Sequence, residues 1–258
     1  MKIMISNDDG YSSPGIHALA AALDSIEETE IYICAPEKQQ SGQSHSLTMD
    51  RKLFVKREQA EHAAEAVTVS GTPADCVMIG LDYFAAKGIV IDMVFSGINI
   101  GSNLGSDTIY SGTVGAAMEG ALKGIPSTAV SVTAEKPRTF ECAAELAKKA
   151  YYIVKEKMDP SVILNINAPD VPHEEIKGVL VTHTAVRDYE EWFVPDESSD
   201  PEGYVFSGRH IALECGSCDM SVDMAAIENG YASVTPLRYD LTHYDEIDTY
   251  KKFDWGIL

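Results

Sequence analysis

Positive charge is scarce in this sequence: 20 lysines and arginines stand against 40 aspartates and glutamates, a formal charge of -20. Such an acidic surface repels polyanions, which argues against a nucleic acid polymer as partner. Cysteine is thin as well. Cys34, Cys76, Cys142, Cys215 and Cys218 are an odd set scattered through the chain, which excludes a disulfide-dense secreted scaffold and fits a reducing cytoplasm. No apolar run reaches the ~18 residues of a membrane span, and the N-terminal run is too short and too interrupted by polar residues for a signal peptide. The chain therefore reads as soluble, cytoplasmic and unprocessed. Internal repeats and low-complexity linkers are also missing.

What is present is enough apolar material, 45% of 258 residues, for a large buried core. "KIMIS" followed by "NDDG" and then "PGIHALAAALDSI", with apolar residues at Ile16, Leu19, Leu23 and Ile26, predicts strand, loop and helix. "EIYICAP", "VIDMVFSGI", "STAVSV" and "VILNIN" read as buried strands. "GTPADCVMIGLDYF", "TVGAAMEGALKG" and "FECAAELAKKAYYIVKEKM" read as helices between several of them. Alternating strand and helix predicts an α/β fold, a Rossmann-like, mostly parallel sheet with helices on both faces. We expect a single domain over 1–258 with an irregular C-terminal portion and two β-hairpin arms, at about 48–70 and 184–212.

In an open parallel sheet, ligands bind beyond the carboxyl ends of the strands. Three loops there are polar and glycine-bearing: "NDDG", "APEKQQSGQS" and "SGINIGSNLGSDTIYSGT". The adjacent carboxylates of Asp8 and Asp9 repel each other unless a cation or hydrogen-bond donors sit between them. Where "YSGTVGAAMEG" opens a helix, Ser111, Thr113 and the backbone N–H groups from Gly112 onward can receive an anion, although Ser111 or Thr113 serves equally as an ordinary N-cap. Gly97, Gly101 and Gly105 do not fit G-x-G-x-x-G, which argues against a nicotinamide enzyme.

Taken in order, "SNDDGYSSPGI", "APEKQQSGQSHSLT", "GTPADCV", "SGINIGSNLGSDTIYSGTVGAAMEG" and "GYASVTPLRYDLT" cover nearly the whole chain, and in them it resembles the survival protein SurE family of metal-dependent 5'-nucleotidases. The resemblance implies one divalent cation per subunit, Mg2+ or Mn2+, held by Asp8, Asp9, Ser41 and Asn99. It also implies hydrolysis of nucleoside 5'-monophosphates, with 3'-monophosphates and short polyphosphate as further substrates. Two carboxylates, a hydroxyl and an amide carbonyl form an all-oxygen set suited to a hard cation. Two negative charges against +2 leave the site near neutral, so a phosphate dianion can approach.

Asp9 is the candidate to orient or deprotonate the attacking water, with Asp8 or Asp9 as a covalent nucleophile the rival mechanism. Asn103, Ser111, Gly112, Thr113 and Gly42 are the candidate phosphate-binding residues. A noncatalytic phosphoacceptor module would also place paired acids after its first strand. It expects roughly half this length and a lysine closing a late strand, whereas the first lysine after "STAVSV" is Lys136. Cys215 and Cys218 read as incidental thiols and His45 as loop packing. The aromatics Tyr189, Trp192, Phe193, Tyr204 and Phe206 suit arm packing, a stacked base or a subunit contact. Family arms carry a "DPxG" turn followed by aromatics. Here Asp200, Pro201 and Gly203 are kept and the aromatics are fewer, which leaves base preference open. A homodimer or homotetramer is expected, because the irregular portion has apolar residues and little periodicity to bury them internally.

Overall fold

The computed structural model describes residues 1–157, 159–186, 189–196, 203–210, 219–253 and 255–256. The Cys215–Cys218 pair, Asp200 and Pro201 lie outside them. A nine-stranded sheet runs through the molecule. Six neighbouring strands are parallel, in the order β4 (Glu65–Val69), β2 (Glu30–Pro36), β1 (Lys2–Ser6), β5 (Met93–Ile100), β6 (Ser127–Val132) and β7 (Val162–Ala168).

Pleating sends alternate residues of β1 to opposite faces. Ile3 and Ile5 join Ile16, Leu19 and Leu23 of α1 (Pro14–Asp24) and Leu146 and Tyr151 of α4 (Glu141–Lys157). Met4 joins Val77 and Phe84 of α2 (Pro73–Ala85) on the other face, where α3 (Gly112–Leu122) packs beside α2. Both faces are thus covered, which is why the parallel strands are apolar throughout. Each fully buried large side chain of this core contributes roughly 1.5–3 kcal/mol.

The segment expected as a first arm pairs as foreseen but does not leave the sheet. β3 (Val55–Glu58) runs antiparallel to β4, and β4 pairs in parallel with β2. Ala66, Val67 and Val69 are buried there, so the hairpin extends the core, with the polar β3 as its exposed edge. The second expected arm does leave it: β9 (Tyr189–Pro195) and β10 (Tyr204–His210) form a separate antiparallel pair, with the Phe193 and Phe206 rings 5.7 Å apart.

The C-terminal portion is more regular than expected. β11 (Ala232–Arg238) pairs antiparallel with β7 and parallel with β8 (Val179–Val181), closing that side of the sheet. Pro236 hides this strand in the sequence, since proline cannot donate to a ladder. Among the described residues no helix is long and apolar enough to cross a membrane.

Candidate metal and phosphate site

The register opposes Ser6 of β1 to Ser96 of β5, so the loops after these two strands emerge side by side at the switch point where the chain winds to either side of β1. Pairing between β5 and β6 shifts between Ser96 and Asn99, a local irregularity of the kind that re-aims a side chain. Asn99 is 8% exposed, and its Nδ2 donates to the Gly101 carbonyl at 2.7 Å, which leaves Oδ1 as its free acceptor. The next N–H, of Ile100, donates to Asp9 Oδ2 at 2.9 Å, tying the first carboxylate loop to the Asn99 loop.

Asp8 is 4% exposed and sits against the start of α3. The Thr113 hydroxyl donates to Asp8 Oδ1. Gly112 makes the approach possible, because a Cβ there would lie 2.8 Å from Asp8 Cβ and 3.0 Å from Pro73 Cγ. Ser111 is the N-cap, its Oγ accepting from the Val114 N–H at 3.1 Å.

Burial pushes the Asp8 carboxyl up to about 6, with the neighbouring Asp9 charge adding to it and the Thr113 hydroxyl pulling the other way. Burial raises Asp9 as well, against the Ile100 N–H. No lysine, arginine or histidine figures among the groups acting on either carboxylate. Two carboxylates that burial strains, with no cationic side chain and a free amide oxygen beside them, fit a hard cation supplied from outside. Among the described residues no group of three or more His, Cys, Asp or Glu side chains could hold a metal, so any ligand set here combines two acids with neutral oxygens.

The remaining expected residues divide. Ser41 and Gly42 stand on an exposed loop that is anchored to the first one by the Gln40 N–H, which donates to the Asp8 carbonyl at 2.6 Å. Ser41 Oγ accepts from Gln39 Nε2 at 3.0 Å. His45 packs this loop onto α3, with Nε2 2.8 Å from Oε2 of the buried Glu119. The "GTPAD" motif is structural: Thr72 and Asp75 form a capping box for α2, and Asp75 also accepts from the Thr48 N–H at 3.1 Å.

Asn103 is engaged by the scaffold. Its Nδ2 donates to Ser131 Oγ at 2.9 Å, its N–H to Asn167 Oδ1 at 2.8 Å, and its carbonyl accepts from Asn165 and Asn167. Sequence reasoning missed Asn165 and Asn167, although two asparagines at i and i+2 in "VILNIN" mark one polar face of a buried strand. It also missed Asp223, fully buried, whose carboxylate accepts from the N–H groups of Gly105 and Ala185 and ties the C-terminal portion to the Asn99 loop.

The family model described as survival protein SurE matches residues 3–191. The 5'-nucleotidase SurE of Methylococcus capsulatus is 42% identical over 252 residues, covering 96% of this chain and 95% of that protein. That of Pelotomaculum thermopropionicum is 41% identical over 259 residues, 98% of this chain and 95% of the other. The crystal structure of the SurE protein from Aquifex aeolicus superposes with a TM-score of 0.80 at 38% identity, covering 97% of this chain and 98% of that one. Matched along nearly its whole length in sequence and in fold, the chain belongs to the survival protein SurE family.

Proposed function

We propose that the protein is a divalent-metal-dependent phosphomonoesterase that hydrolyses nucleoside 5'-monophosphates to nucleoside and phosphate. The observation that carries this reading is the meeting of Asp8, Asp9 and the Asn99 carbonyl, without a cationic side chain, at the N-terminus of α3. The 5'-nucleotidase names of its relatives support the reaction class.

A cation held by Asp8, Asp9 and Asn99, with Ser41 from the exposed loop, would polarise the phosphoryl oxygens and offset the phosphate charge. Thr113 keeps Asp8 ionised and oriented rather than touching phosphate, since its hydroxyl is spent on Asp8 Oδ1. The phosphate donors are then the Ser111 hydroxyl and the Gly112 N–H, at the positive end of an 11-residue helix. Asp9 is held through Oδ2 alone and keeps Oδ1 to take the proton of the attacking water. A homodimer or homotetramer is the expected assembly, on the exposed Phe193, Tyr204 and Phe206 of the β9–β10 hairpin and on Tyr250, Phe253 and Trp255.

Release of inorganic phosphate from 5'- and 3'-mononucleotides and tripolyphosphate, with Mg2+, Mn2+ or EDTA, tests the reading. Turnover of 5'-mononucleotides with either metal and none in chelator is expected. Full turnover in excess EDTA after dialysis would refute it.

A further inference from the structure

The loop that carries Ser41 has no apolar anchor. None of the residues described from 37 to 52 is buried or packs against the hydrophobic core, so polar contacts decide where Ser41 stands. We propose that His45 and the buried Glu119 are the pair that positions Ser41 for the metal. This rests on the nucleotidase reading, in which Ser41 reaches the cation, and names what holds that ligand in place.

One face of α3 builds the contact. Gly112, Gly115 and Glu119 follow the i+3 and i+4 spacing that stacks residues on one side of a helix. Gly112 admits Asp8. One turn on, a Cβ at Gly115 would lie 2.6 Å from the Ser44 carbonyl oxygen and 3.0 Å from His45 Cα, so the loop lies directly on the helix backbone. Another turn on, Glu119 Oε2 stands 2.8 Å from His45 Nε2. The Glu119 side chain is 7% exposed and that of His45 27%. A carboxylate so far out of water is costly without a partner, and among the described residues the imidazole is the partner its side chain has.

Ser41 is thereby closed in from both ends. Upstream, the Gln40 N–H donates to the Asp8 carbonyl at 2.6 Å. Downstream, Ser44 donates its N–H to the Tyr110 carbonyl at 3.0 Å and its hydroxyl to the Ile109 carbonyl at 2.6 Å. Ser44 is also held at φ 55°, a left-handed conformation that a residue other than glycine keeps only where its surroundings fix it. Between the two anchors stand Ser41, Gly42 and Gln43, a span too short to wander while both ends are held. The imidazole ties the downstream end to the buried charge on the helix. Without it that end loosens, and the ordering of Ser41 becomes part of the cost of binding the metal.

The test is a double-mutant cycle on metal affinity, read by calorimetric Mn2+ titration of the metal-free wild type, Ser41→Ala, His45→Ala and the double variant. Ser41→Ala should weaken binding about tenfold and His45→Ala about fivefold, the scale of one net hydrogen bond. The double variant should bind no more weakly than Ser41→Ala, because His45 acts through Ser41. His45→Gln, which keeps a donor for Glu119, should come within about twofold of the wild type, and circular dichroism should find every variant folded. Wild-type affinity in His45→Ala would overturn the proposal. So would losses that multiply to about fiftyfold in the double variant, the mark of a general loosening that does not pass through Ser41. A wild type that bound no Mn2+ would refute the metal reading itself, and Ser41→Ala at wild-type affinity would remove Ser41 from the ligand set. In either case the pair loses the part assigned to it.

Discussion

Replacing Thr113 by valine removes one hydroxyl and keeps the branched shape of a fully buried side chain. That hydroxyl donates to Asp8 Oδ1 and holds the Asp8 carboxyl down against burial, at about 6. A hydrogen bond to a charged group contributes roughly 1.5–3 kcal/mol, so at about 2 kcal/mol its loss moves the ionisation of Asp8 upward by about 1.5 pH units. A cation must then displace a proton. Proton competition makes the Thr113→Val protein weaker in Mn2+ affinity by about fifteenfold at pH 6 and about fourfold at pH 7, with almost no defect at pH 8. Calorimetric Mn2+ titrations at these three values read the slope directly. A merely structural defect would weaken binding equally at all three. That result, or wild-type affinity at pH 6, would refute the assignment of Thr113 as the group that keeps Asp8 ionised.

Two further outcomes follow from the same geometry. Asn99→Asp adds a third negative charge where a phosphate dianion must approach and sets a carboxylate against the Gly101 carbonyl in place of a donor. At ~5 Å and an effective dielectric of ~20 the added repulsion is roughly 3 kcal/mol per unit of phosphate charge, so kcat/KM should fall by at least about a hundredfold, and a value within threefold of wild type in steady-state kinetics would contradict this. In the metal-free protein the folded-state value of Asp8, about 6, lies above the unfolded value of 3.8. Ionised Asp8 therefore weakens the fold above pH 6, and the penalty is relieved as pH falls through 6 toward 4. That is about 3 kcal/mol in favour of the acid side, and urea unfolding in EDTA should show it as the difference between wild type and Asp8→Asn growing by that amount between pH 7 and pH 4, on top of the slope that Asp9 and the other carboxylates give both proteins.

Much of the fold was legible because its parallel strands are short apolar runs bounded by turn residues, and because α1 repeats Ile16, Leu19 and Leu23 at helical spacing, all three buried. β11 was not, since Pro236 breaks its pattern and its partners β7 and β8 lie far away in sequence. The 48–70 hairpin was legible as paired strands. Its place in the sheet was decided by the β2–β4 contact, which no local pattern carries.

Asp8, Asp9 and Asn99 stand out in the sequence because the two acids follow β1 and Asn99 lies at the end of β5, at the same sheet edge. The part Thr113 plays does not. It depends on α3 seating Gly112 against Asp8, 104 residues earlier in the chain, a contact fixed by tertiary packing. Asn103 sits inside the densest polar motif of the sequence, yet Ser131, Asn165 and Asn167 claim its amide group and backbone. Side chains that look alike in a loop are thus sorted into site and scaffold by what lies behind them.

The most direct test of the metal assignment is a Mn2+ titration of the metal-free protein beside Asp9→Asn, which keeps an acceptor for the Ile100 N–H and removes only the charge. One Mn2+ per chain should bind the wild type, and binding to Asp9→Asn should be weaker by at least about thirtyfold. Equal affinity in the two proteins, with folding confirmed by circular dichroism, would contradict the account.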